Sequence, residues 1–326
     1  MGGYMGKILR VNLTDRTTMV EPLDLEIAQK YLGARGIGVK IMMDEVPANV
    51  NPLSPENKII IAAGALTGAP VPTSGRYMVI SKSPLTGTIG IANSGGQWGP
   101  KFKSTGHDGI IFEGKADKPV YLYIEDDKVE IKDASHIWGK TVSEATEILE
   151  KEHEGSKVLS IGPAGENLSL IASVMNDLDR AAGRGGLGAV MGSNNLKAVV
   201  VKGTKNLPLY DEEKTKKVSS EKIKILREDP VAGGGLPSYG SAVLVNIINE
   251  SGVLPVKNFQ ESYTDKADLI SGETMTEKYL VKKQACFRCP IACGRVVKLA
   301  DGTVVGGPEY ETVWSYGADC DVYDYD

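Results

Sequence analysis

The sequence predicts an α+β protein: a β-rich N-terminal domain with a pseudo-two-fold repeat, then the start of a mainly helical domain. Three observations predict it. Short β-branched runs punctuated by glycine and proline fill the first two hundred residues. A spacing of glycines recurs within that stretch. Helical periodicity takes over after about residue 211.

The runs Ile8–Leu13, Lys58–Ala63, Tyr77–Ser81, Gly109–Glu113, Val120–Ile124, Val129–Lys132 and Lys197–Lys202 read as strands, because turn residues bound each one. Leu25–Leu32 and Thr141–Glu152 read as helices, with Ser143 a candidate cap for the second. The interval from Gly75 to Gly95-Gly96 equals that from Gly165 to Gly185-Gly186. An apolar strand and a Gly-Lys or Gly-Thr-Lys turn follow each pair. One reading is coincidence in a chain with 38 glycines. The other is a duplicated β-unit presenting two equivalent glycine loops about one axis.

Residues 203–211 read as a linker, which divides the chain into domains 1–205 and 206–326. Asp211 is placed to cap a charged helix running to about Arg227. Ser238–Ser251 carries apolar residues at Val243, Leu244, Ile247 and Ile248, with Gly252 as a stop. A helix is expected over Thr274–Lys283, and another from Pro308 through Trp314.

Composition narrows the function. The chain has 326 residues, 41% hydrophobic and 24% charged, which is ordinary for a folded domain. A net charge of −5 argues against a nucleic-acid partner. No cysteine precedes Cys286, which suits a reducing cytoplasm better than a disulfide-bearing exterior. The stretch Met1–Leu13 lacks the apolar run of a signal peptide. Ile59–Val71 is too short, and too broken by Gly64 and Gly68, to span a membrane.

The chemistry concentrates in Cys286-Phe287-Arg288-Cys289-Pro290-Ile291-Ala292-Cys293-Gly294. A C-x2-C-x3-C loop lets three thiolates converge on a soft metal centre, and a [4Fe–4S] cluster suits this spacing. Zinc is the competitor, but it favours paired knuckles, and His107, His136 and His153 are all remote in sequence. The glycine loops around Gly95 and Gly183 carry bare backbone N–H groups with arginines nearby. They read either as tight turns or as phosphate cradles. Arg76 follows the repeated Gly75 and is a candidate anion contact. Glu311 lies in the first turn of the helix after the cysteine loop, where an acid complements the helix dipole or, near a metal, orients water.

These segments together resemble the tungsten-containing aldehyde:ferredoxin oxidoreductase family. The resemblance rests on Gly64-Ala65-Leu66-Thr67-Gly68, Pro72-Thr73-Ser74-Gly75-Arg76-Tyr77, Lys82-Ser83-Pro84-Leu85-Thr86-Gly87, Ala92-Asn93-Ser94-Gly95-Gly96, Ile161-Gly162-Pro163-Ala164-Gly165-Glu166-Asn167, Arg180-Ala181-Ala182-Gly183-Arg184-Gly185-Gly186 and the cysteine loop. It implies a tungsten bis-pterin (tungstopterin) centre, a [4Fe–4S] cluster, and a magnesium ion shared by the two pterin phosphates. By motif position it implies cofactor contacts at Arg76, Asn93, Gly95, Arg180, Ala181 and Gly183. The Asn93 side chain and the Ala181 carbonyl would reach magnesium. Cys286, Cys289 and Cys293 would ligate the cluster, and Glu311 would act near tungsten. The implied reaction oxidises an aldehyde to a carboxylic acid and passes electrons to ferredoxin.

The family's fourth cluster cysteine, Asp-rich second pterin motif and further active-site histidine have no counterpart here. The resemblance therefore implies an N-terminal portion, a possible homodimer or complementary C-terminal polypeptide, or a non-catalytic iron–sulfur and pterin-binding subunit of a split enzyme. Cys320 does not match the fourth ligand and is expected to be a small buried residue.

Overall fold

The computed structural model describes residues 2–326. The chain divides into two compact units, the first ending at Lys216 and the second spanning Lys217–Asp326. The first unit opens with the hairpin β1 (Lys7–Asn12) and β2 (Thr17–Pro22), followed by α1 (Leu25–Tyr31) and α2 (Ala34–Glu45). Then come β3 (Ile59–Ala63), β4 (Tyr77–Lys82), β5 (Ile89–Ser94), α3 (Trp98–Lys103) and β6 (Gly109–Glu113). A second series follows: β7 (Val120–Glu125), β8 (Lys128–Asp133), α4 (Val142–Glu152), β9 (Lys157–Ser160), α5 (Pro163–Glu166), β10 (Val174–Asn176), β11 (Arg180–Ala182), α6 (Leu187–Ser193) and β12 (Leu196–Lys202).

The second series repeats the first strand for strand. One six-stranded sheet runs β2-β1-β6-β3-β4-β5; the other, read from its far edge, runs β8-β7-β12-β9-β10-β11. The directions agree as well. β1 pairs parallel with β6 as β7 does with β12, and the remaining neighbours pair antiparallel in both sheets. The sheets carry the duplication that the glycine interval suggests, but the interval itself does not map onto it: Gly75 lies just before β4, whereas Gly165 lies within α5, ahead of β10. Gly96 and Gly186 stand at matching places, each ahead of the helix that leads from the edge strand to the central one.

Strand alternation explains how the sheets stack. Ile59, Ile61, Val120, Leu122, Val199 and Val201 share one core with Trp98 and Phe102 of α3 and Leu187 and Val190 of α6. The alternate residues turn outward to separate cores. Ile60 and Ala62 meet Ala28 of α1 and Ile37 of α2, while Tyr121, Tyr123 and Val200 meet Leu149 of α4.

The helix α7 (Glu212–Glu228) runs through the division at Lys216. Asp211 caps it through a 2.8 Å bond from the Lys214 N–H. A π-helical turn (Pro230–Gly235), α8 (Leu236–Tyr239), a 3-10 turn (Ser241–Val243), α9 (Leu244–Glu250) and α10 (Gly272–Lys278) follow. A small antiparallel sheet of β13 (Leu280–Gln284), β14 (Gly294–Lys298) and β15 (Val304–Gly306) precedes α11 (Tyr310–Tyr316).

The structure corrects four expectations. Thr141, not Ser143, caps α4, because Glu144 three residues on closes a capping box with it. The expected helix over Ser238–Ser251 breaks at Gly240, whose φ of +70° ends α8. Its buried residues are then Ala242, Val243, Val245 and Asn249, while Ile247 is exposed. The helix expected to reach Lys283 stops at Lys278, since Leu280–Gln284 pairs with β14 instead. Cys320 is exposed rather than buried, in a short turn after α11 where its Sγ lies 3.3 Å from the Ser315 carbonyl.

No single helix among the described residues is long and apolar enough to cross a membrane. The pair Pro230–Tyr239 and Ser241–Glu250 passes that test jointly, with a bend of 106°.

Candidate functional site

Duplication places the sequence-derived residues in register. Asn93 is the penultimate residue of β5 and Ala181 the penultimate residue of β11, the equivalent strand. Gly95 and Gly183 each follow directly. β5 and β11 are the free edges of their sheets, and they touch each other. Arg76 precedes β4, and its Nη1 donates to the Asn93 Oδ1 at 2.7 Å. Arg76, Ala181 and Gly183 are exposed, and Asn93 and Arg180 are half-buried. The Arg180 guanidinium lies 3.7 Å from the Asp179 carboxylate.

The two glycine loops are fitted closely. Gly96 has φ +86°, and a Cβ there would lie 2.1 Å from the Asp177 carboxylate and 3.2 Å from the Arg180 side chain. Gly186 has φ +68°, and a Cβ there would lie 2.0 Å from the Leu170 carbonyl oxygen. Both positions therefore exclude a side chain by conformation and by space. The Ser83 hydroxyl completes the second loop by donating to the Gly185 carbonyl at 2.6 Å.

Sequence reasoning missed the group that joins these halves. Asn176 ends β10 and is 1% exposed. Its Oδ1 accepts from the Tyr77 and Ser94 hydroxyls, each at 2.7 Å. Its Nδ2 donates to the Gly95 carbonyl at 3.0 Å and to the Asp177 carboxylate at 2.8 Å. Asp177 in turn accepts from the Gln97 and Trp98 N–H groups. One half's hairpin thereby fixes the other half's glycine loop. The available signal was a polar pair, Asn176-Asp177, closing the apolar run Val174-Met175.

A second chain of contacts supports Arg76. The Thr67 hydroxyl donates to the Arg76 carbonyl at 2.7 Å and accepts from the Gly64 N–H at 2.9 Å. The buried Lys103 ammonium holds the Gly64 carbonyl at 3.0 Å and pairs with Asp108. Burial pulls the Lys103 pKa below that of an ordinary lysine, against the Asp108 charge that supports it. Asp108 also accepts from the Met5 and Gly6 N–H groups, so neither member of the pair lacks hydrogen bonds.

In the second unit, the cysteine loop is the connection of the hairpin β13–β14. Cys286, Cys289 and Cys293 are half-buried and form no disulfide among the described residues. The Cys289 N–H donates to the Cys286 carbonyl at 3.1 Å, and Arg288 and Ala292 adopt positive φ. No three His, Cys, Asp or Glu side chains among the described residues converge on one ion position. Glu311 is exposed in the first turn of α11. Glu309, before it, accepts from the Ser241 hydroxyl at 2.6 Å.

Comparison with known proteins agrees with this architecture. A family model for the N-terminal domain of aldehyde ferredoxin oxidoreductase matches residues 8–203, and one for its domains 2 and 3 matches residues 217–326. The chain belongs to the aldehyde ferredoxin oxidoreductase family. It is 56% identical over 326 residues to the tungsten-containing aldehyde ferredoxin oxidoreductase of Pyrococcus furiosus, covering 99% of this chain and 54% of that protein. Identity to the Thermococcus kodakarensis protein of the same name is 53%, over 99% of this chain and 54% of that one. The chain spans about half the length of the curated relatives it matches. Among solved structures, the active site complex BamBC of benzoyl-coenzyme A reductase, in complex with 1,5-dienoyl-CoA, superimposes with a TM-score of 0.85 at 33% identity. That match covers 98% of this chain and 51% of the other.

Proposed function

We propose that this chain carries the cofactor cradle of a tungsten-dependent aldehyde oxidoreductase. The observation that carries the reading is the duplicated sheet edge, where Asn93 matches Ala181 and Gly95 matches Gly183. A two-fold cradle suits a two-fold ligand, and the relatives are named as tungsten-containing enzymes.

On this reading residues 1–205 form the bis-pterin domain and residues 206–326 carry the cluster loop. Arg76 and Arg180 supply positive charge for the pterin phosphates, and Gly95 and Gly183 allow close backbone approach. The Asn93 Oδ1 and the Ala181 carbonyl are hard oxygen donors of the kind magnesium takes alongside phosphate. Cys286, Cys289 and Cys293 hold the cluster, and Glu311 orients the water or aldehyde. When bound, the tungsten bis-pterin takes the two electrons released as an aldehyde and water become a carboxylic acid and two protons, and the cluster relays them singly to ferredoxin. Half-buried thiols outside any disulfide suit a reducing cytoplasm.

The test is anaerobic expression of the full chain with tungstate, followed by metal analysis and reduction of a low-potential dye by a small aldehyde. Tungsten and iron with turnover support the enzyme. Tungsten and iron without turnover support a cofactor-binding subunit that needs a complementary polypeptide. Zinc as the sole metal overturns both readings.

A further inference from the structure

Beneath the cysteine loop lies a cation that the proposed function does not use. Arg295 is 1% exposed, among the largest fully buried side chains of the molecule. Its Nη1 donates to the carbonyls of Ala292 and Gly294, each at 3.0 Å, so it grips the chain on both sides of Cys293. Its Nη2 donates to the carbonyls of Leu236 and Pro237, at 3.0 and 3.1 Å. All four acceptors are neutral, and no ion pair to Arg295 forms among the described residues. Its Nε–H is buried with no acceptor among the described residues. A Cβ on Gly240 would lie 3.0 Å from both that Nε and the Cys293 carbonyl, so the glycine lets guanidinium and loop pack together. The acidic groups whose charges reach Arg295 are Cys293 and Glu309.

A buried guanidinium whose hydrogen bonds all go to neutral carbonyls is costly, and an orphaned buried donor adds to the cost. Fold stability alone does not call for either. An apolar side chain would fill the same space without a charge to desolvate. A thiolate-ligated iron–sulfur cluster carries net negative charge and has sulfur acceptors, which suit a buried guanidinium with an open N–H.

We propose that Arg295 is the fixed counter-charge of the cluster held by the cysteine loop, a positioning and redox-tuning residue that raises the cluster's reduction potential. The inference rests on the cluster assignment above. Reduction adds one electron to the cluster and breaks no bond, so a nearby buried cation favours the reduced form directly.

The experiment uses the full chain, reconstituted anaerobically with ferrous iron and sulfide. Wild type, Arg295→Gln and Arg295→Lys are compared by iron content and by redox titration of the cluster's visible and paramagnetic signals. Gln keeps amide donors for the carbonyls but removes the charge; Lys keeps the charge but loses the fork. Arg295→Gln is expected to lower the reduced-to-oxidised ratio at a fixed potential by about tenfold or more, equal to about 59 mV for a one-electron couple. Arg295→Lys is expected to stay within about threefold of wild type. Should the Gln variant not fold, a Lys variant at the wild-type potential supports the charge assignment, and a tenfold fall in a folded Lys variant overturns it. Iron-loaded Gln protein with an unchanged potential also overturns the inference while leaving the cluster intact. Wild type that binds no iron overturns the cluster assignment itself, and the inference with it.

Discussion

Replacing Asn176 with alanine tests whether the joint between the duplicated halves is structural in the way its hydrogen bonds imply. The amide serves four partners, and three of them, the Tyr77 hydroxyl, the Ser94 hydroxyl and the Gly95 carbonyl, sit in the interior. Each buried polar group left without a partner costs about 1–3 kcal/mol. The two hydroxyls can rotate and shared one acceptor, so the sum falls toward the lower end, at roughly 3–5 kcal/mol. Asn93→Ala is the control. The Asn93 amide accepts from the exposed Arg76 and donates over longer distances to the Tyr77 carbonyl at 3.4 Å and the Met78 Sδ at 3.2 Å. The set is worth about 0.5–1.5 kcal/mol, because solvent replaces the first, the second is long and the third goes to a weak thioether acceptor. Urea unfolding of the full chain, followed by circular dichroism and fluorescence, measures both. With a slope near 3 kcal/mol/M, Asn176→Ala should lower the midpoint of the first unit's transition by roughly 1 M. A midpoint within about 0.3 M of wild type, or equal to that of Asn93→Ala, would refute the reasoning.

Two further predictions concern a buried base and the thiols. His107 is 1% exposed, and burial first, then Lys205 and Lys7, depress its pKa to about 4. The unfolded chain therefore binds a proton below about pH 6.5 that the folded chain refuses until about pH 4, so stability falls through that window by about 3 kcal/mol. The difference between wild type and His107→Gln in urea midpoint against pH isolates this slope from the carboxylates; a constant difference from pH 7 to 4 would count against it. On the proposed cluster assignment, Cys286→Ser loses most bound iron and its visible absorption, whereas Cys320→Ser keeps both, and loss of the signal in Cys320→Ser would make Cys320 a ligand.

The readable parts of the fold were those where local pattern and tertiary role coincide. Ile59–Ala63 and Ala198–Val201 announce themselves as strands because both faces are buried, so every position is apolar. Gly96 and Gly186 were legible because they occupy conformations that other residues resist, whereas Gly75 and Gly165, which open the interval, have no shared place in the two sheets. Short strands escaped notice. β10 and β11 have three residues each, with Asn176 and Arg180 facing each other across the pair, and nothing local marks them as sheet. Leu280–Lys283, the end of the expected helix, has lysines that suit a helix, while pairing with β14 decides otherwise. The site divides the same way. Its glycines and arginines stood out, but the Asn176 hub depends on partners about a hundred residues distant in sequence, and no window of sequence contains both ends.

The hairpin of β13 and β14 bears on how a metal centre assembles. Gln284 faces Gly294 in the ladder, so main-chain hydrogen bonds clamp both ends of the cysteine segment. The conformational freedom lost on closing that segment is therefore lost when the sheet forms, before any iron arrives. On the proposed cluster assignment, iron loading would then have only to order thiol rotamers, with the exit and entry points of the segment already set. The same clamp limits adaptation, since adding or deleting a residue between the strands would shift the register of the pair or the reach of the thiols.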